Sequence, residues 1–330
     1  MAITRRAFAT TAAALTALLL AACGTTEDPA GAAAPASAAP SGPIDLQDER
    51  GAVHLAAPAR NVVSLEWGLT ENLVALGVKP AGQADVKGYN IWDSTTPIDP
   101  KTPDVGRRGE PSLDAIVALN PDLVVTTTDL QETVIAQIAK KVPVIALRGS
   151  DGSDPIGYMR RTVTTLARAT GTEAQGAKLL AGFDAKVAAG RDALAEAGRT
   201  GAPFVMTDGW VDSGTVSLRM YTPGSYFGAL AAQLGLQSQW TTGGDKDYGL
   251  AQTDVEGLTK IKDARTTYLY AANKSDGGDY TDSLKNNAVW KQLPFVQSQK
   301  VKRLPDGIWM FGGPASASAH IDAVVTALSA

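Results

Sequence analysis

Between Ile156 and Ala197 the chain carries helical periodicity with one break, near Gly171-Thr172-Glu173, and this stretch constrains the fold more than any other. Its second part sets Ala177, Leu180, Phe183, Val187 and Leu194 at helical spacing, which predicts a helix over 173–198. A helix of about 25 residues spans ~37 Å at 1.5 Å per residue, so it reads as a stiff connector between two bodies.

On either side of the connector, apolar runs of strand length alternate with helical patterns. Val62-Val63-Ser64-Leu65 reads as a buried strand and Leu69 to Gly77 as a helix closed by glycine. Ser112 caps a helix carrying Leu113, Ile116, Val117 and Leu119, Leu123-Val124-Val125 is the next strand, Val134 to Ala139 is helical, and Val142 to Leu147 is a strand. Strand, helix, strand units imply parallel sheets with helices on their faces, hence an α/β fold. The plan recurs after the connector: Thr253 to Ile261 followed by Thr267-Tyr268-Leu269-Tyr270 echoes Ser112 to Val125, and Tyr226 to Gly235 echoes Leu69 to Gly77. We therefore expect an N-terminal lobe over 44–172 and a C-terminal lobe over 199–330, with separate cores.

The first 43 residues follow different rules. Arg5 and Arg6, an apolar run from Ala7 to Ala22 and small residues before Cys23 make an export signal over 1–22 that is too short to cross a bilayer. Thr4-Arg5-Arg6-Ala7-Phe8 resembles the twin-arginine signal, with general secretion as the alternative. Leu20-Ala21-Ala22-Cys23 resembles the bacterial lipobox, in which the thiol takes a diacylglycerol and palmitate anchor and becomes the new N-terminus. Cys23 is the one cysteine, so no disulfide or thiolate metal site is available. Residues 24–43 hold almost no large apolar side chain and read as a disordered tether, able to reach ~65 Å when extended. Taking Arg5 and Arg6 from the 30 basic residues leaves 28 against 34 acidic ones, about −6, with no basic cluster to engage nucleic acid.

Two lobes on one helix enclose a cleft, and ligands favour such boundaries. Candidates to line it are Tyr89 and Trp92, then Arg107 and Arg108 in Gly106-Arg107-Arg108-Gly109-Glu110-Pro111, where two arginines beside a helix N-terminus suit anionic oxygens. In the second half Trp210, Arg219, Tyr221, Tyr248 and Trp309 sit in glycine-rich strand ends or loops. A bare-metal binder needs several imidazoles, yet the chain has only His54 and His320, both read as structural or exposed. No Gly-x-Ser-x-Gly elbow, P-loop or His-Glu-x-x-His is present, which argues against an enzyme. Carboxylate pairs such as Glu110 with Asp114, or Asp208 with Asp212, leave a secreted hydrolase as the rival from another class.

Val62 to Gly82, Gly106 to Val125, Val142 to Leu147 and Trp290-Lys291-Gln292-Leu293-Pro294-Phe295-Val296 resemble the substrate-binding lipoproteins of ABC transporters that import ferric siderophores and cobalamin. The resemblance implies two Rossmann-like lobes with central parallel sheets joined by one long rigid helix, the class III periplasmic-binding-protein type. Within that family the Gly106 to Pro111 loop looks most like the ferric hydroxamate binders, which puts Arg108 on the iron-ligating oxygens with Arg107 beside it. The same likeness places Trp92, Tyr248-Gly249 and Ile308-Trp309-Met310-Phe311-Gly312 in the cleft, Phe311 included. One departure stands out: Asp129, Leu130 and Gln131 occupy a place where some hydroxamate binders carry an aromatic. The implied ligand is a ferric tris-hydroxamate of the ferrioxamine kind, with cobalamin, haem or a catecholate siderophore as alternatives; the siderophore holds the iron, so no protein metal ligand or cofactor is implied. The implied partners are an ABC permease and its ATPase, engaged by a monomer at the outer face of the cytoplasmic membrane. Glu71 matches a glutamate that docks on the permease, while its second-lobe counterpart is Ala229.

Overall fold

The structure, a computed structural model, describes residues 42–274 and 277–329. The expected export signal, Cys23 and the tether as far as residue 41 lie outside the described residues.

In the first half the expected strands Val62–Ser64, Leu123–Thr127 and Val144–Leu147 form one parallel sheet in that order, with the short strand Gly82–Gln83, not anticipated from sequence, added at the Val62–Ser64 edge. Every residue of these strands is buried, because a sheet covered on both faces has no solvent side to mark with polar residues. The flanking helices start where their caps dictate. Ser112 Oγ accepts the Ala115 N–H at 3.2 Å ahead of Leu113–Ala118, and Glu66, not anticipated as a cap, accepts the Trp67 N–H at 3.0 Å ahead of Trp67–Ala75.

Helix Pro155–Thr170 stops at Gly171, whose φ of 66° is the left-handed conformation that ends helices, and the connector Glu173–Glu196 follows. Phe183, Val187 and Leu194 form its buried stripe with Gly190, whereas Ala177 is exposed. A Cβ on Gly190 would overlap Ile321 of the terminal helix Pro314–Ser329, so the connector is gripped by a second helix at close range.

The second half departs from the all-parallel pattern. Pro203–Asp212 pairs in parallel with Gln237–Ser238 and with Thr267–Tyr270, which pairs in parallel with Val301–Arg303. Along the edge opposite Thr267–Tyr270, beyond the short pairing with Gln237–Ser238, it folds back on Thr215–Tyr221 as an antiparallel hairpin, extended antiparallel by Leu250–Thr253. The cause is local: Ser213 and Gly214 take φ of 49° and 83°, the two-residue turn whose twist matches a hairpin. The expected helix over Thr253 to Ile261 is a single 3-10 turn at Gly257–Lys260.

The interior also corrects the expectation of separate cores. One apolar cluster runs from Val62, Leu123 and Ile145 of the first sheet, through Val163, Phe183 and Leu194 of the middle helices, to Phe204, Leu230 and Ile321 of the second half. The described residues accordingly form one compact unit. Helices shared between the two sheets leave each lobe one private outer core and a common inner one, which resists hinging.

Candidate cleft between the two sheets

Strand ends build the site. Beyond Ser64 the chain presents Glu66 and Trp67, beyond Thr127 it presents Asp129, and beyond Leu147 it presents Arg148, which line one wall of a cavity of about 620 Å³. The facing wall comes from Arg219 on Thr215–Tyr221, from Tyr248, and from Trp309 to Gly312, which leads into the terminal helix. Ligands bind outside the carboxyl ends of parallel strands, and a cavity of this size suits a small molecule.

Aromatic side chains form the cavity's apolar lining. The Trp309 ring lies 4.9 Å from Trp67, 6.3 Å from Trp92 and 5.1 Å from Phe311, all edge-on, and Phe311 lies 5.2 Å from Tyr248. Such T-shaped contacts fix ring orientation beyond what burial alone does.

Arg108 is delivered by a small hairpin in which Gly106–Arg107 pairs with Glu110–Pro111. Its guanidinium sits 3.9 Å from the Trp67 ring centre and 5.3 Å from that of Trp309, while Nη1 donates to Glu66 Oε1 at 2.9 Å and Oε2 at 3.2 Å. Burial pushes the Glu66 carboxyl above its usual range, and the Arg108 charge and hydrogen bond act against that rise. Arg219 is held in the same way: Nε donates to Asp208 Oδ1 at 2.9 Å, Nη2 donates to Oδ2, and the Tyr221 hydroxyl donates to Oδ2 at 3.1 Å. Arg148 Nη2 donates to Asp151 Oδ2 at 2.6 Å, with Glu49 at 3.5 Å from Nε. Each arginine of the cleft therefore brings its own counter-ion.

The lobes are also stitched across both edges of the cleft. On one edge the Tyr248 hydroxyl donates to Asp129 Oδ2 and the Gly152 N–H to the Lys246 carbonyl at 3.0 Å. Burial, then the Asp129 charge, raises the Tyr248 phenol far above its ordinary range, so it remains a donor. On the other edge the Ser94 N–H donates to the Gly307 carbonyl at 3.0 Å and Asn273 Nδ2 to the Ile91 carbonyl at 3.2 Å.

Of the residues expected from sequence, Arg108, Trp92, Arg219, Tyr248, Trp309 and Phe311 meet at this cavity. Four do not. Tyr89 is fully buried, its hydroxyl donating to the Thr96 carbonyl at 2.6 Å, Tyr221 is buried with its hydroxyl donating to Asp208, Arg107 is exposed to solvent, and Trp210 is 43% exposed where the hairpin runs past the sheet. Sequence reasoning missed Glu66, Trp67 and Arg148; the signal for Glu66 was its place one residue before a helix. His54 is exposed beside Asp45 at 2.8 Å, and His320 is buried, stacked 3.7 Å from Phe227, so neither reaches the cleft.

The expected docking role of Glu71 is also overturned. The residue has no exposed surface; Oε1 accepts the Ser316 N–H at 2.8 Å, and the buried Asp93 carboxyl is its neighbour, so no permease arginine can reach it. Burial, and then the Glu71 charge, pushes Asp93 up to about 9. An unfolded aspartate loses its proton near 3.9, so from there to about 9 folding takes up a proton and stability declines as pH rises. Burial drops the His320 imidazole to about 3, which leaves it uncharged in the folded protein above pH 7. Between pH 7 and 9 the unfolding free energy should therefore fall by up to ~1.4 kcal/mol per pH unit, and Asp93→Asn should flatten that slope. Urea titrations at both pH values check this, and equal slopes in the two proteins would show that Asp93 is not protonated in the fold.

A profile of the periplasmic binding protein family matches residues 62–307. The iron(3+)-hydroxamate-binding protein FhuD of Escherichia coli K12 is 26% identical over 265 residues, covering 80% of this chain and 86% of that one. The putative ABC transporter substrate-binding lipoprotein YhfQ of Bacillus subtilis 168 is 26% identical over 275 residues, covering 81% and 82%. Among solved structures, the siderophore-binding protein FhuD of Vibrio cholerae with Fe3+–Desferal superposes with a TM-score of 0.72 at 26% identity, covering 82% of this chain and 98% of that one. These relatives are binding proteins, not enzymes. With a match that spans both sheets and the connector between them, the chain belongs to the periplasmic binding protein family.

Proposed function

We propose that this protein captures a ferric siderophore of the tris-hydroxamate, ferrioxamine-like type in the cleft and hands it to an ABC permease driven by its ATPase. On this reading it works as a monomer at the outer face of the cytoplasmic membrane, held by lipid on Cys23 after export by the twin-arginine route. The observation that carries the reading is the charge of the cleft. Arg108, Arg148 and Arg219 are each paired with a carboxylate, and aromatic rings cover much of the remaining wall. Hydroxamates cancel the charge of ferric iron, whereas catecholates leave a strongly anionic complex that would need unpaired cations. A hexadentate siderophore also fills the coordination sphere, so recognition falls to hydrogen bonds from Arg108, whose Nη2 and Nε have no partner among the described residues, and to aromatic faces against methylene linkers. The hydroxamate and Desferal ligands named for the two FhuD proteins, and the lipoprotein named for YhfQ, support it.

The test is a tryptophan-fluorescence titration with ferric tris-hydroxamate, ferric tris-catecholate, haem and cobalamin. Trp67, Trp92 and Trp309 line the cavity, so saturable quenching by the hydroxamate alone is expected. Tighter binding of any of the other three overturns the assignment.

A further inference from the structure

One charge in the cleft has no counter-ion. Asp129 lines the cavity, is exposed, and takes part in none of the structure's ion pairs among the described residues. Its two hydrogen bonds come from neutral hydroxyls and converge on a single oxygen: Thr127 Oγ1 donates to Oδ2 at 3.1 Å, and Tyr248 donates to the same atom. Among the described residues Oδ1 accepts no hydrogen bond, and the side chain is exposed at the cavity wall. The Glu66 carboxylate lies close enough on the same wall for Asp129 to raise its pKa further, so that wall is electronegative beyond what Arg108 cancels.

From this imbalance we propose that Asp129 is a specificity determinant that selects, among ferric hydroxamates, those carrying a cationic amine, with the ammonium seated on Oδ1. The proposal rests on the hydroxamate reading above and narrows it. An ammonium offers three donors and a full charge, and a carboxylate oxygen without partners is the complement it lacks elsewhere in the cleft. The same uncompensated charge works against anionic complexes, so one residue supplies both selection and rejection. Bridging the lobes does not by itself require a carboxylate, since an asparagine carbonyl at this position would accept both hydroxyls through one oxygen. Asp129→Asn therefore removes the charge and keeps the bridge.

The experiment compares two ligands on two proteins. A linear ferric tris-hydroxamate ending in a primary amine, and its N-acetylated counterpart, are titrated by tryptophan quenching against the full-length protein and against Asp129→Asn. The wild type should bind the free amine about tenfold more tightly than the acetylated complex, and the variant should bring that ratio close to one by weakening the free amine only. A ratio near one in the wild type, or a tenfold ratio that survives in the variant, overturns the role of Asp129 while leaving hydroxamate capture standing. If neither complex quenches the wild type, the hydroxamate reading itself falls and this proposal with it. A melting temperature unchanged in Asp129→Asn verifies that the bridge survives; a marked drop would mean that Asp129 serves the fold, against the proposal.

Discussion

Arg108→Ala is expected to weaken ferric tris-hydroxamate binding about a hundredfold, which corresponds to ~2.7 kcal/mol and to the loss of one or two charge-assisted hydrogen bonds. Two effects act together. The ligand's oxygens lose the Nη2 and Nε donors, and the Glu66 carboxylate, which accepts two bonds from Nη1, is left in the cavity wall with the Trp67 N–H as its remaining donor. An unpaired carboxylate beside the ligand oxygens opposes binding further. Arg108→Lys separates charge from geometry: it keeps the cation but loses the planar contact with the Trp67 ring at 3.9 Å, so a loss of about tenfold is expected. Titration of both variants by tryptophan quenching decides the matter. Undiminished affinity in Arg108→Ala would remove Arg108 from the site.

Arg108 also shows what can and cannot be read from a linear chain. Its loop was legible because glycines flank two arginines just ahead of the Ser112 cap, and the connector was legible because Phe183, Val187 and Leu194 repeat at helical spacing. Its partner was not, since Glu66 lies 42 residues away and only the packing of two elements brings them together. Asp129 was noticeable as a departure from an aromatic, yet its bond to Tyr248 spans 119 residues. Tyr89 and Trp92 share one short helix, Val86–Trp92, and differ in fate because the Tyr89 hydroxyl finds Thr96 inside the fold while Trp92 reaches the cleft. The second-half hairpin hid in Ser213-Gly214, a turn signal outweighed by the strand, helix, strand rhythm around it. Local periodicity and capping set elements; which polar groups meet depends on tertiary placement that no spacing encodes.

Glu71 is where that gap has the largest energetic consequence. If the residue docked on a partner, Glu71→Lys would leave stability and ligand affinity intact and affect transport alone. The structure leads to the opposite expectation. Glu71 caps the terminal helix from another element, accepting the Ser316 N–H in its first turn, and a Cβ on Gly312 would already overlap Oε2. A lysine there would bury a cation at the positive end of a helix and take the acceptor from the Ser316 N–H, which the neighbouring Asp93 carboxyl offsets only in part, at a cost of roughly 3–5 kcal/mol. Against a total stability of about 5–15 kcal/mol, that should bring the urea midpoint down sharply or prevent folding. Glu71→Gln should cost about 1 kcal/mol, because its carbonyl still accepts from Ser316 and its amide can donate to Asp93. The segment from Trp309 to Gly312 runs from the cleft wall straight into this helix, so the seam that Glu71 closes also positions the aromatic lining. Glu71→Gln, still folded, should then bind ligand with near-native affinity. A Glu71→Lys protein with native stability and affinity that fails only in uptake would restore the docking role.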